Sequence, residues 1–376
     1  MMLKIFVTGD NHIGLKYASH GSAADILAHK RVDAFRGMVR IANDERCGLF
    51  IITGDLFENT RISKKEMQPL LEILSGFHGT VAVLPGNHDH YEKDATLWTY
   101  FQDIASQKDN ILLMTAYQPY PLSVNGDNVV LYPALCMSRH SAPGENNLGW
   151  IMNEQIVPDG TYRIGVAHGA IEGATIDNEG AYFLMTQDEL EHIPMDVWLI
   201  GHTHVPFPKN ITEDYSDCGR IFNPGTHVQT DVACNTEGLC FIVQISEDKS
   251  VLAKKVVTGN VRFYRERLTL SAGEMEQELR RSLDKLGSDS VVDLILSGAV
   301  TAEEYEDRAA ILERSLSRFL EGTYDDSELS KLITKDLINA EFPETSFSAR
   351  LLTELIHDPK QAQLVYDLLT ALKEGT

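Results

Sequence analysis

Cysteine is scarce in this chain of 376 residues, and nothing in its spacing pairs it. Cys47, Cys136, Cys218, Cys234 and Cys240 are odd in number, scattered, and form no C-x-x-C pair. That argues against a disulfide framework and a thiolate zinc site, and it fits reduced thiols in a cytoplasm. Long apolar runs are missing too: none approaches the roughly 20 residues that span a bilayer, so no membrane role is expected. The apolar stretch in Met1–Val7 is too short for a signal peptide and reads as a first strand running straight into Asp10. Basic residues are few, with 33 Lys and Arg against 55 Asp and Glu, a formal charge of −22. Proteins that coat nucleic acid are usually basic, because phosphate neutralisation supplies much of their affinity. The acidity weighs against such a partner, but a site holding two divalent ions would carry about four positive charges of its own. There is no internal repeat, low-complexity tract or Gly/Ser linker.

What remains is an ordinary folded composition, 43% hydrophobic and 23% charged, in a chain long enough for two domains. The first part alternates strand and helix. Lys4–Thr8, Leu49–Thr53 and Val81–Leu84 read as strands, and Ala24–Arg46 and Lys64–Phe77 as helices. Short apolar or β-branched runs follow at Asn128–Tyr132, Tyr162–Ala167 and Val197–Ile200. From about Gly219 the pattern is strand after strand, at Arg220–Phe222, Leu239–Ile245, Val251–Val257 and Val261–Leu270. This predicts a layered α/β domain with mixed rather than purely parallel sheets. A boundary is expected at 268/269. From Ser271 to Thr376 there are 11 Lys and Arg against 22 Asp and Glu, so half of the net charge sits in this tail. One strand, Ser290–Leu296, is expected there, then helices around Glu303–Leu320, Ser327–Ala340, Ser346–His357 and Ala362–Lys373. Apolar residues at helical spacing near the end suit an accessory domain packed on itself, or a face that docks a partner.

Chemistry concentrates in five short motifs: Asp10-Asn11-His12, Gly54-Asp55, Gly86-Asn87-His88-Asp89, Ala167-His168-Gly169 and Gly201-His202-Thr203-His204. Each follows an apolar run. Asp10, Asp55, Asn87 and His202 each come directly after a glycine, which lets the backbone turn sharply and approach an ion or phosphate. In open α/β sheets, ligands gather outside the carboxyl ends of strands. Mixed imidazole and carboxylate donors suit Mn, Fe or Zn, whereas Mg prefers oxygen alone.

In their order, D-N-H, G-D, G-N-H-D, H-G and G-H-T-H, these motifs resemble the calcineurin-like metallophosphoesterase superfamily over roughly residues 2–245. Further residues resemble one branch, the SbcD-type nuclease subunits of DNA-break-repair complexes. They are Asp10-Asn11-His12-Ile13-Gly14, Arg31 with Asp33 and Phe35, Gly54-Asp55-Leu56-Phe57, Pro85 through Asp89, Asn223-Pro224-Gly225-Thr226 and Asn260-Val261-Arg262-Phe263. The resemblance implies a four-layer sandwich, two mixed β-sheets flanked by helices, spanning residues 1–268. A smaller accessory or cap region with a helical docking segment would occupy 269–376. It implies that Asp10, His12, Asp55 and His204 hold one metal, and that Asp55 bridges to a second held by Asn87, His168 and His202. His88 matches the family's catalytic histidine, which stabilises the transition state or protonates the leaving oxygen, with Asp89 orienting it. Mn2+ is the expected metal of both sites, with Fe or Zn as alternatives. The implied substrate is DNA and the implied partner an SbcC-like coiled-coil ABC-type ATPase; homodimers are usual in the family.

Glu58 departs from the archaeal and eukaryotic nucleases, which often carry a histidine there, and Asn59–Lys65 lacks that loop's usual prolines. Pro85-Gly86-Asn87-His88-Asp89 differs from the Arg-Gly-Asn-His-Glu of the protein phosphatases. A phosphoesterase for a small nucleotide or phospholipid head group, and a scaffold without catalysis, stand as alternatives. His90 and His227 match no ligand position and are expected at the rim or just behind the ligands. His20, His29, His78, His140, His192 and His357 are expected to be ordinary. Arg61 with Lys64 and Lys65 could touch a nucleic-acid backbone, whereas Lys254, Lys255, Arg262, Arg265 and Arg267 suit a solvated face. Ser138–Leu148, rich in Gly, Pro and Asn, reads as a loop at the rim of a substrate cleft.

Overall fold

A computed structural model describes residues 2–152, 154, 161–173 and 181–374. The chain divides into two compact units, Met1–Val261 and Arg262–Thr376. The first contains strands β1 (Leu3–Thr8), β2 (Leu49–Ile52), β3 (Thr80–Val83) and β4 (Ile111–Leu113), interleaved with helices α1 (Ala24–Asp44), α2 (Lys64–Ser75) and α3 (Thr96–Ala105). It continues through β5 (Tyr120–Val124), β6 (Asp127–Ala134), α4 (Gly149–Met152), β7 (Tyr162–His168), α5 (Gln187–His192), β8 (Val197–Gly201), β9 (Ile221–Phe222), β10 (Leu239–Ile245) and β11 (Val251–Val257). Two sheets result, in the orders β11-β10-β1-β2-β3-β4 and β5-β6-β7-β8-β9. Both are mixed: β1 to β4 run parallel with β10 antiparallel to β1, and β6 to β9 run parallel with β5 antiparallel to β6.

Side-chain alternation builds the layers. Ile5, Val7, Leu49 and Ile51 of the first sheet meet Leu131, Ile164, Val166, Val197 and Leu199 of the second in a shared core. The alternate residues Phe6, Phe50, Ile52 and Val83 face outward onto α1, α2 and α3. Trp198 and Ile200 face outward on the other side, onto Leu190 of α5 and Ile151 of α4. A strand covered on both faces must be apolar at every position, which is why Leu49-Phe50-Ile51-Ile52 reads as a continuous run. The expected arrangement, two mixed sheets flanked by helices, is the one found.

The second unit begins earlier than the expected 268/269 boundary, which falls inside β12 (Arg262–Ser271). That strand pairs over its whole length with β13 (Ser290–Val300), so Arg262–Leu268 belongs to the second unit. The order β12, α6 (Met275–Leu283), β13, α7 (Ala302–Leu316), β14 (Glu321–Lys331) forms a parallel three-stranded sheet. Met275, Leu279, Leu283, Leu312 and Leu316 pack against Leu294 and Leu296. Helices α8 (Lys335–Glu341), α9 (Phe347–Leu355) and α10 (Pro359–Glu374) gather around Ile338, Leu352, Ala362 and Tyr366.

One expected helix, Ser327–Ala340, is corrected: its first residues complete β14, and α8 starts only after Thr334, whose side chain accepts from the Leu337 N–H. The stretch Tyr324-Asp325-Asp326-Ser327-Glu328 has little apolar alternation. It is a strand because β13 offers a free edge and Leu329 reaches the core. Among the described residues, no helix is long and apolar enough to cross a membrane.

Candidate metal centre

The expected ligands all lie at the carboxyl ends of parallel strands or in the loops just beyond them. Asp10 follows β1, Asp55 follows β2, Asn87 follows β3, His168 ends β7, and His202 and His204 follow β8. The turns that present them are strained. Asp10, His12, Asp55 and His202 have positive φ, at 48°, 45°, 50° and 113°, a region that side chains other than glycine seldom occupy. Two glycines are required by space. A Cβ on Gly54 would run into the His168 ring, and one on Gly86 into the Asp55 carboxylate. These glycines therefore serve packing among the ligands, beyond the freedom to turn.

All seven side chains come together. Asp10, His12 and His204 form one potential ligand group, and Asp55, His168 and His202 another. A third, His12, Asp55 and His88, joins them. His12 Nε2 lies 3.1 Å from His204 Nε2. His168 Nε2 lies 3.3 Å from Asp55 Oδ2 and 3.0 Å from Asn87 Oδ1. His202 Nδ1 is 3.1 Å from the same Asn87 oxygen. The Thr53 carbonyl, 2.8 Å from His168 Nδ1, takes that nitrogen's hydrogen and leaves Nε2 as the donor atom facing the carboxylate.

Two observations test whether a cation fits. Asp10 is fully buried: its Oδ1 accepts from the His202 N–H at 2.9 Å, but its Oδ2 has no hydrogen-bond partner. Burial pushes its carboxyl up to about 7, against the lowering effect of His168 and with the help of Asp55. Asp55 goes the other way. Burial alone would raise it, yet His168, His12 and His88 together hold it below the usual carboxylate range. A buried carboxylate oxygen without a donor, beside imidazole nitrogens facing one another, is what a divalent cation satisfies. The residues fit the group.

The sequence of this fold matches the family model for calcineurin-like phosphoesterase over residues 3–206, more than half of the chain. The chain belongs to the calcineurin-like phosphoesterase family. Members are metal-dependent hydrolases that typically bind two divalent metals, in keeping with the ligand groups just described. A comparison with curated protein sequences gives no significant match. Among solved structures, this calcineurin-like phosphoesterase is similar to TT1561 of Thermus thermophilus, at 11% identity and TM-score 0.41, over 69% of this chain and 100% of that one. It is similar to the purple acid phosphatase PPD1 from yellow lupin (Lupinus luteus) seeds, at 11% identity and TM-score 0.40, over 69% and 52% of the two chains. A dimetal phosphatase from Danio rerio is similar at 11% identity and TM-score 0.38, over 68% and 98%.

Around the ligands, several expected roles change. Asp89 does not bond to the His88 ring. It is fully buried, and its two oxygens accept from the backbone N–H groups of Gly86 at 2.7 Å and Phe57 at 3.0 Å. It thus ties the loop after β3 to the loop after β2. The His88 ring is held by the Glu58 carbonyl, 3.1 Å from Nδ1, while the His88 N–H donates to Asp55 Oδ1 at 2.8 Å. Glu58, noted in the sequence only as a departure, places Oε2 2.9 Å from His12 Nδ1. At that distance Glu58 places a negative charge beside the imidazole, although His12 Nδ1 forms no hydrogen bond.

Arg31 is 1% exposed and donates to the Asn11 carbonyl at 2.5 Å, the Tyr17 hydroxyl at 3.0 Å and Thr226 Oγ1 at 3.3 Å. These bonds pin the first ligand loop, which explains Arg31 and Thr226 together. His227 is fully buried behind them, with Nε2 3.0 Å from the Arg31 carbonyl. His140, expected to be ordinary, packs on Tyr182 at 5.2 Å between ring centroids, and Tyr182 stacks on His202 at 5.0 Å. Ser141 bonds to the same segment, through its N–H to the Ala181 carbonyl and its hydroxyl to the Phe183 N–H, so the Ser138–Leu148 loop does lie beside the ligands. Lys64 is engaged by Asp103 at 3.0 Å and lies over the Tyr100 ring, and Lys254 by Glu45 at 2.7 Å.

Proposed function

We propose that this calcineurin-like phosphoesterase is a two-metal phosphodiesterase that cuts DNA, a cytoplasmic nuclease subunit of the SbcD type working with Mn2+. Asp55 carries the reading: its carboxylate belongs to the group with His12 and His88 and also to the group with His168 and His202, as a bridging ligand must. Asp10, His12, Asp55 and His204 would hold one ion, and Asp55, Asn87, His168 and His202 the other. Bound there, two divalent ions supply Lewis acidity that activates water and neutralises phosphoryl oxygens.

The chain's own residues supply the rest. Glu58 sets a carboxylate beside His12, and the Thr53 carbonyl orients His168. With its Nδ1–H directed at the Glu58 carbonyl, His88 keeps Nε2 to carry a proton to the leaving oxygen. Choice of DNA rests on the motif-level resemblance, in which Arg31 and Thr226 have a common structural use. A small nucleotide or other phosphoester is the second reading, favoured by the charge of −22. Mn2+-dependent degradation of linear DNA is the expected result. Hydrolysis of bis-p-nitrophenyl phosphate with no cleavage of DNA at any salt concentration would move the assignment to the second reading.

The proposal includes the SbcC-like coiled-coil ATPase as partner. Leu364, Leu368 and Leu372 recur every four residues on one face of α10 and are 63%, 56% and 74% exposed; Phe347 on α9 is 77% exposed. Meanwhile Ala362 and Tyr366 of the same helix are buried, so the helix has an inner face already packed and an outer apolar stripe without cover. Leu364→Asp combined with Leu368→Asp is expected to abolish co-elution with such an ATPase while bound metal stays constant. Undiminished complex formation would remove the stripe from the partner interface.

A further inference from the structure

Beside His88 the first unit has an open cleft of about 470 Å3, within the roughly 300–1,000 Å3 of small-ligand sites. Its wall brings together three cations far apart in sequence, Lys16 after β1, Arg61 before α2 and Arg139 after β6. All three are exposed, and none forms a salt bridge among the described residues. Asn59 and Thr60 add neutral hydrogen-bonding groups. Among the described residues of the wall the one carboxylate is Glu66, whose Oε2 accepts from the Ser63 hydroxyl at 2.6 Å and the Ser63 N–H at 3.0 Å and whose charge is felt by Lys16, leaving three cations against one anion. The wall therefore keeps a local positive excess in a chain whose formal charge is −22. Among the described residues it offers no Phe, Tyr or Trp on which a base could stack.

We propose that this cleft binds the phosphate next to the scissile one on a DNA strand, on the side of the leaving oxygen that His88 serves. This rests on the reading of the metal centre as a phosphodiesterase, and it adds a substrate class: a strand with at least two phosphates, gripped by its backbone and with little regard to base sequence. It also answers the objection from net charge. Three clustered cations beside the reacting phosphate attract a polyanion locally, whatever the charge on more distant surfaces, because salt screens charges beyond roughly 10 Å.

The test uses the full chain with Lys16→Ala, Arg61→Ala and Arg139→Ala, singly and combined. Two probes are compared: bis-p-nitrophenyl phosphate, which has one phosphate, and a fluorescein-labelled single-stranded oligothymidylate. For each single variant, kcat/KM on the oligonucleotide should fall about tenfold further than on the one-phosphate diester, the scale of a charge-assisted hydrogen bond. Anisotropy binding of the oligonucleotide to metal-free protein should weaken in parallel. The slope of log affinity against log salt should shrink by about 0.7 for each phosphate no longer neutralised. Equal losses on both probes, or an unchanged affinity and salt slope, would overturn the proposal. If the oligonucleotide binds through the three cations but neither probe is cleaved, the cleft stands and the phosphodiesterase reading fails. If the one-phosphate diester is cleaved and the oligonucleotide does not bind, the cleft proposal fails and the hydrolase survives.

Discussion

Replacing Asp55 by asparagine is expected to cut hydrolysis of every phosphoester by about 10³-fold or more, roughly 4 kcal/mol of transition-state stabilisation, and to leave at most one metal per chain. The reason is its double membership. Asp55 Oδ2 lies 3.3 Å from His168 Nε2 and 3.9 Å from His12 Nε2, so one carboxylate faces both ligand groups. An amide keeps the size and can still accept the His88 N–H, but it brings no charge. His168 makes the same point: burial alone would lower its pKa, yet Asp55 drives it up to about 9. Without that carboxylate the cavity loses the anion that offsets bound cations. Elemental analysis of the purified variant, alongside its thermal melt, separates this from unfolding. Two metals retained with activity within tenfold of the parent would show that Asp55 is no bridge.

His88→Ala should leave metal content intact and lower kcat on DNA by about 10²–10⁴-fold, the usual contribution of a positioned acid. The substrate dependence matters more than the size. A DNA strand leaves as an alkoxide and needs a proton, whereas p-nitrophenolate is a stable anion and needs almost none. If His88 Nε2 delivers that proton, the loss on bis-p-nitrophenyl phosphate will be much smaller than the loss on DNA. Equal losses would instead make His88 a stabiliser of phosphoryl charge. Loss of a metal would make it a ligand, a role its place beside His12 and Asp55 allows on geometry. Only its half-buried ring and its tie to the Glu58 carbonyl favour the acid.

Most of the candidate metal centre was legible in the sequence, because it is written in local pattern. A parallel strand buried on both faces must be a short apolar run, and a ligand at its carboxyl end must follow a sharp turn. Leu49-Phe50-Ile51-Ile52 leading to Gly54-Asp55 states both facts in seven residues. The ligand residues, and the mixed sheets that carry them, follow from repeating that pattern along the chain.

What stayed hidden depended on contacts between distant segments. Nothing local to Asp89 tells that its oxygens go to Gly86 and Phe57 rather than to its neighbour His88. Glu58 became informative only when folding put its carboxylate on His12, and Tyr182 only when its ring met His202. In β14, a charged stretch became a strand because β13 had an edge to pair. Arg61 stood out in the sequence as a possible nucleic-acid contact, but Lys16 and Arg139 join it only when the loops after β1, β2 and β6 converge beside His88. Periodicity and turn chemistry are properties of neighbouring residues, so the sequence alone determined most strands of the first unit, the residues that gather at the candidate site and the hydrolase family. Sheet order decides which loops meet, so only the tertiary structure decided what stands behind each ligand and what borders the reacting phosphate.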